Sequence, residues 1–318
     1  MIHALGSAGR VLVVGIGGGG DVVGALAVAE LARLLGTPAV AGGLTWERRP
    51  IDPTPGPRRI DELRDAQPIN AQTALAGPDT TGPGGFHFAE SHVSRHLGEP
   101  VLLLDPSGGP AQIATGLAGA AHELGCDRVV LLDVGGDVLA HGDEAGLASP
   151  LADAVCLAAA PALAAAGLAP LLAVFGAGCD GELTPAEVLE RVAEVARAGG
   201  HLGTWGPGRE EIERLQAAVE QVPTEASAMA LACARGTTGS ASIRGGRRTV
   251  QLTPAGGLVF FFDPLVALHS AARCAALVEH VTSLRQGNEI LLAQGMRTEL
   301  EYETENAGAE RRAADEHR

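Results

Sequence analysis

The chain has 318 residues, 46% of them hydrophobic and only 3% aromatic, with a formal net charge of −15. That balance excludes the positive footprint needed for nucleic-acid binding, and it leaves few rings for base stacking. Lysine is absent, all 23 basic residues being arginine, which excludes a P-loop lysine, a pyridoxal-phosphate Schiff base and a Tyr-x-x-x-Lys reductase pair.

The first ten residues, MIHALGSAGR, lack a basic segment followed by an apolar one, and no apolar run reaches the roughly 18 residues of a membrane span. Cys126, Cys156, Cys179, Cys233 and Cys274 form no C-x-x-C pair. Together these features predict a cytoplasmic protein with reduced thiols and no membrane partner. A homo-oligomer is expected on general grounds only.

In chain order, continuously apolar runs predict strands at Val11–Val14, Pro38–Leu44, Val101–Leu104, Arg128–Leu132 and Leu168–Phe175. Helical patterns fill Val22–Leu35, Ala111–Leu124, Ser149–Ala166, Pro185–Ala198 and Arg209–Gln221. This alternation predicts an α/β fold: a Rossmann-like, open, mostly parallel sheet with helices on both faces. The stretch Trp46–Pro100 is rich in Pro, Gly and Thr, shows no clear strand, and reads as a long loop. Beyond Gly236, Ser240–Arg244 and Arg247–Leu252 flank Gly245-Gly246 as a β-hairpin, and a strand at Leu258–Phe262 leads into a helix from Pro264. One domain over residues 1–303 is expected, with a charged, disordered tail at 304–318.

Ligands of open α/β sheets lie beyond the carboxyl ends of the strands. Those ends read GIGGGGD (Gly15–Asp21), TWER (Thr45–Arg48), DPSGG (Asp105–Gly109), DVGGD (Asp133–Asp137) and GAGCDGE (Gly176–Glu182). Every one carries an acid and four carry glycine, which predicts a shared polar site. Gly17, Gly18, Gly19 and Gly20 would offer backbone N–H groups to an anion at a helix N-terminus, or would simply let helix and strand pack closely. Asp21 is unexpected at such a mouth, because a carboxylate repels phosphate unless it holds a metal, a hydroxyl or a proton.

Asp133 and Asp137 flank Gly135-Gly136, a turn that would bring both carboxylates together to hold Mg²⁺ or to divide acid and base roles. Asp21, Asp105, Asp133 and Asp137 read equally as helix N-caps, Asp105 best of all. Glu47, Arg48, Ser107, Gly108, Asp180 and Glu182 complete the candidate ligand-binding set. Glu47 falls 27 residues after Gly20, only loosely where a ribose-binding acid belongs. His87, His92 and His96 lack the H-E-x-x-H pattern and read as a partly exposed helix rather than a metal site. Arg244, Arg247 and Arg248 could close over an anion, and Cys179 reads as a buried small thiol.

The segments GIGGGGDVVGA (15–25), LTWERRPIDPTPGPRR (44–59), DVGGD (133–137), SPLADA (149–154), CDGEL (179–183) and GMRTELEYE (295–303) resemble domain-of-unknown-function family 1152 of archaea and actinobacteria. The resemblance spans nearly the whole chain to about residue 303. It implies a single domain, and it carries no catalytic assignment.

The expected function is therefore an enzyme acting on a small anionic metabolite, nucleotide or phosphosugar-like. Its chemistry would be acid–base or Mg²⁺-assisted group transfer, lyase or hydrolytic, with Asp21, Asp133 and Asp137 as reacting groups. Two alternatives stand beside it: binding of NAD(P) or S-adenosylmethionine by the glycine loop, and a non-catalytic ligand-binding or partner subunit.

Overall fold

A computed structural model describes residues 1–316, with side chains described to residue 309. Eleven strands are present among them: β1 (Val11–Gly15), β2 (Ala39–Leu44), β3 (Arg64–Pro68), β4 (Thr73–Thr81), β5 (Val101–Leu104), β6 (Arg128–Val134), β7 (Leu171–Phe175), β8 (His201–Trp205), β9 (Gly239–Ile243), β10 (Arg248–Leu252) and β11 (Val259–Phe262). Nine of them form one sheet in the order β3-β4-β5-β2-β1-β6-β7-β11-β8, and β9 and β10 form a separate hairpin.

The five central strands β5-β2-β1-β6-β7 run parallel, while β3, β4 and β11 join antiparallel. Numbered by chain order, the parallel set reads 3-2-1-4-5, the doubly wound arrangement. The chain fills one side of β1 first and then crosses to β6 on the other, so the topological switch lies between β1 and β6.

Alternation along β1 shows why both faces are covered. Val11 and Val13 enter one apolar cluster with Val22, Leu26 and Ala29 of helix Asp21–Leu34. Leu12 and Val14 enter the other, with Ile113 and Leu117 of helix Gly109–Glu123 and Leu151 and Val155 of helix Leu151–Leu157. Each such residue is fully buried, a gain of about 1.5–3 kcal/mol per side chain. Helix Asp21–Leu34 approaches the sheet through Gly24, where a Cβ would fall 2.8 Å from Leu132 Cδ2 and overlap the Val134 side chain. Gly24→Val should therefore destabilise the fold by roughly 1–3 kcal/mol through overpacking. An unchanged urea midpoint would contradict that close approach.

Several expectations need correction. The stretch read as a loop between Trp46 and Pro100 holds β3, β4 and helix Ala89–Leu97. β3 (RDAQP) is a largely exposed edge strand without an apolar alternation, and the helix carries Ser and His where apolar residues would announce it. Helix Ser149–Ala166 is two helices, Leu151–Leu157 and Ala160–Ala165. Strand β8 and helix Ala226–Ala234 were not predicted. The last helix runs Glu299–Glu316, so the tail expected to be disordered from 304 is helical to 316; residues 317 and 318 lie outside the described residues. The anchoring of its first turns through Glu299 and Glu303 overrides their charge. Among the described residues no helix is long and apolar enough to cross a membrane, and all five cysteines are free and buried.

Candidate functional site

The site begins at β1, where the glycines end and helix Asp21–Leu34 starts. Gly17 N–H donates to Asp21 Oδ2 (3.0 Å), Val134 N–H donates to the same oxygen (3.3 Å), and Gly19 N–H donates to the Trp46 carbonyl (3.0 Å). Two of the loop's donors are thus already engaged within the protein. Gly18 and Gly20 also serve packing, since a Cβ at Gly18 would lie 2.8 Å from Trp46 O and one at Gly20 would overlap Thr224. Asp21, unexpected at a phosphate loop, is what this loop binds.

Asp133 is the last residue but one of β6, and its Oδ2 accepts from Gly136 N–H (2.9 Å) and Val138 N–H (3.2 Å). Asp153 enters from helix Leu151–Leu157. Asp21, Asp133 and Asp153 each offer a carboxylate oxygen, and these oxygens lie within 4.8 Å of one another. The Asp153 side chain is buried and its Oδ1 has no hydrogen-bond partner among the described residues. Gly17 makes the convergence possible: a Cβ there would stand 2.6 Å from Asp21 Oδ2 and 3.2 Å from Asp153 Oδ2. The expected pair was Asp133 with Asp137. Asp137 is instead buried at the start of the short turn Asp137–Leu139, close enough for Asp153 and Asp133 to raise its pKa but outside the converging set.

Around this triad stand further buried acids. Asp180, after β7, packs against Gly135 and accepts from Glu182 N–H (3.2 Å). Glu182 accepts from Ala148 N–H, Ser149 N–H (3.0 Å) and Ser149 Oγ (2.7 Å), and pairs with Arg248 of β10 at 2.8 Å. Glu47, after β2, accepts from Ala89 N–H and caps helix Ala89–Leu97. Glu299 accepts from Leu151 and Ala152 N–H (3.1 and 2.8 Å), and Glu303 accepts from Trp46 Nε1 (3.0 Å) and Gly56 N–H (2.9 Å).

Arg48 is the cation nearest the middle. Its Nη2 donates to Gly17 O (2.6 Å) and lies 3.5 Å from Glu299 Oε1, and its guanidinium stacks on Trp46 at 4.5 Å. Arg48 Nη1 has no hydrogen-bond partner among the described residues, standing 3.8 Å from Glu303 Oε1. The charge of Arg244, on the hairpin, also reaches Asp21 and Asp180.

Crowding so many acids has an electrostatic consequence. Loss of water pushes Asp21, Glu47, Asp180 and Glu299 up to about 7, with hydrogen bonds and arginines pulling the other way. Asp133, Asp137 and Asp153 rise well above the usual carboxylate range, by burial first and by the charge of neighbouring carboxylates second. Like charges in a dry site cannot all ionise without protons or a cation between them.

The remaining candidates lie elsewhere. Ser107 and Gly108 line a separate open cleft of about 660 Å³ with Arg59, Asn70, Gln72 and Gln112. Asp105, expected as a helix cap, closes a local turn onto Ser107 N–H (2.8 Å), and the cap position of helix Gly109–Glu123 is Gly108. The His87 and His92 rings lie 5.8 Å apart, tilted at 59°, and among the described residues neither joins a group of three converging ligand atoms. A second such set, His141, Asp143 and Glu144, is already engaged: His141 Nε2 contacts Glu194 (2.9 Å) and Arg191 (2.8 Å), and Glu144 accepts two backbone N–H groups.

The sequence profile of the family described as protein of unknown function (DUF1152) matches residues 12–307. The chain belongs to this family. The match takes in every acid of the site, from Asp21 to Glu303. No curated protein and no solved structure matches the chain.

Proposed function

We propose that this DUF1152 protein is an enzyme that holds a divalent cation, Mg²⁺ or Mn²⁺, between Asp21, Asp133 and Asp153 and uses it on a small phosphorylated metabolite. The convergence of these three carboxylates, with the buried Asp153 Oδ1 unpartnered, carries the reading. Hard cations take oxygen ligands of this kind, often together with substrate phosphate. Arg48 Nη1, which has no hydrogen-bond partner among the described residues and only a 3.8 Å ion pair with Glu303, and Arg244 supply positive charge for the ligand's anionic group beside the metal. The cation would neutralise charge developing on a phosphoryl oxygen, and the raised Asp180 would give or take a proton, chemistry suited to hydrolysis, group transfer or elimination. The strand order favours a dinucleotide instead, but that reading needs donors which Gly17 and Gly19 have already given to Asp21 and Trp46.

The test is a thermal melt with Mn²⁺ at about a hundred times its Kd, where mass action supplies about 2.7 kcal/mol and a rise of roughly 5 °C is expected. Asp133→Asn should abolish that rise. Arg48→Met should keep it while losing the added stabilisation from ribose 5-phosphate or a nucleoside diphosphate. A wild-type melt indifferent to Mn²⁺, or an equal rise in Asp133→Asn, would sink the cation site.

A further inference from the structure

Two of the five thiols face each other. Cys179 follows β7 in the loop that carries Asp180, and Cys233 lies in the last turn of helix Ala226–Ala234. Their sulfurs stand 3.9 Å apart, both buried. The other thiols have different neighbours: Cys274 Sγ faces the Met296 thioether at 3.7 Å, and Cys126 Sγ faces the Leu124 carbonyl at 3.9 Å.

We infer that Cys179 and Cys233 form a reactive dithiol that closes reversibly to an intramolecular disulfide when met by hydrogen peroxide or a low-molecular-weight disulfide. A bond of about 2.05 Å asks the two sulfurs to approach by roughly 2 Å. The residue backing both sulfurs is Gly256, where a Cβ would fall 2.8 Å from Cys233 Sγ and 2.9 Å from Cys179 Sγ, so no side chain presses on the pair from that side. Gly256 belongs to the short turn Pro254–Gly257, between the hairpin and β11.

The pair also decides which sulfur attacks. The hydrogen bond from Cys179 stabilises a Cys233 thiolate and brings that thiol down to about 7, against burial, with the Thr253 backbone adding to the effect. The same bond and burial push Cys179 the other way. With peroxide, the Cys233 thiolate attacks one oxygen. An S–O bond forms, the O–O bond breaks, and hydroxide leaves and takes a proton. Cys179 sulfur then attacks the sulfenic sulfur. The S–S bond forms, the S–O bond breaks, and a second water leaves with the Cys179 proton. Two thiols and one peroxide give one disulfide and two waters, each sulfur losing one electron.

The inference does not depend on the cation site, and its test needs no ligand. The folded, full-length chain is treated with a small molar excess of hydrogen peroxide, quenched with catalase, denatured and titrated for thiols. Five thiols per chain should fall to three and return to five with dithiothreitol, and proteolysis of the oxidised protein should yield a peptide pair joining Cys179 to Cys233. Cys233→Ser, which has four thiols, should keep all four under the same treatment. The inference is overturned if wild-type protein keeps five thiols or pairs other cysteines, and the peptide map decides this on the wild-type chain even where the variant folds poorly.

Discussion

In EDTA, the protein should lose stability steadily as pH rises from 5 to 8, and Mn²⁺ should restore it at the upper end. Asp21, Glu47, Asp180 and Glu299, held up to about 7, keep protons in the folded chain at pH values where the unfolded chain has released them. The folded state therefore binds more protons between about pH 4 and 7. Stability present below that window is lost as pH climbs through the folded values. Each group contributes up to about 1.4 kcal/mol per pH unit within the window. Asp133 and Asp153, raised by burial and by neighbouring carboxylates, act in the same direction. A divalent cation replaces those protons as the positive charge, so the Mn²⁺ curve should flatten. Urea midpoints at four pH values, with EDTA or Mn²⁺, measure both. A flat curve in EDTA would mean that these acids ionise freely in the folded state.

Gly135→Ala should be among the most damaging single-methyl additions in the chain, costing at least about 3 kcal/mol and abolishing cation binding. Gly135 has φ +138, and a Cβ there would lie 2.5 and 2.7 Å from the two Asp180 oxygens. Asp180 cannot withdraw cheaply, because it is buried among other acids. The strained turn also supplies Gly136 N–H to Asp133, so the triad would be displaced with it. Gly36→Ala is the control. It has a left-handed φ of +81 but nothing within 4 Å, and should cost only about 1 kcal/mol. Equal losses in the two variants would show that conformation alone, and not the Asp180 contact, sets the cost.

Much of this arrangement is readable in the residues. The apolar runs of β1, β6 and β7 and the turns that follow them are local signals, and they point directly to Asp21, Asp133, Asp180 and Glu182. Asp153 is harder to see. An acid in the first turn of SPLADAVC reads as ordinary helix-start chemistry, and only the crossing after β6 aims it at Gly17. Glu299 and Glu303 lie in the GMRTELEYE segment of the family resemblance, but nothing in their local pattern marks them as buried, because an acidic, solvated-looking helix is where such residues usually sit. Their burial follows from packing 148 and 247 residues away in sequence, against Leu151 and Gly56. That Asp153 and not Asp137 joins the converging set has the same reason: spacing reports proximity along the chain, while the convergence is set by a helix.

That dependence on remote acids has a consequence for how the protein comes into being. A ribosome making this chain releases β1, β2, β5, β6 and β7, with the triad, long before residues 299–303 exist. Until those residues arrive, Trp46 Nε1 and the Leu151 and Ala152 N–H groups lack their acceptors, and Arg48 lacks both of its carboxylate neighbours. The pocket is thus completed only once residues 299–303 are made, and a transcript cut short at residue 298 would encode the sheet without its completed centre.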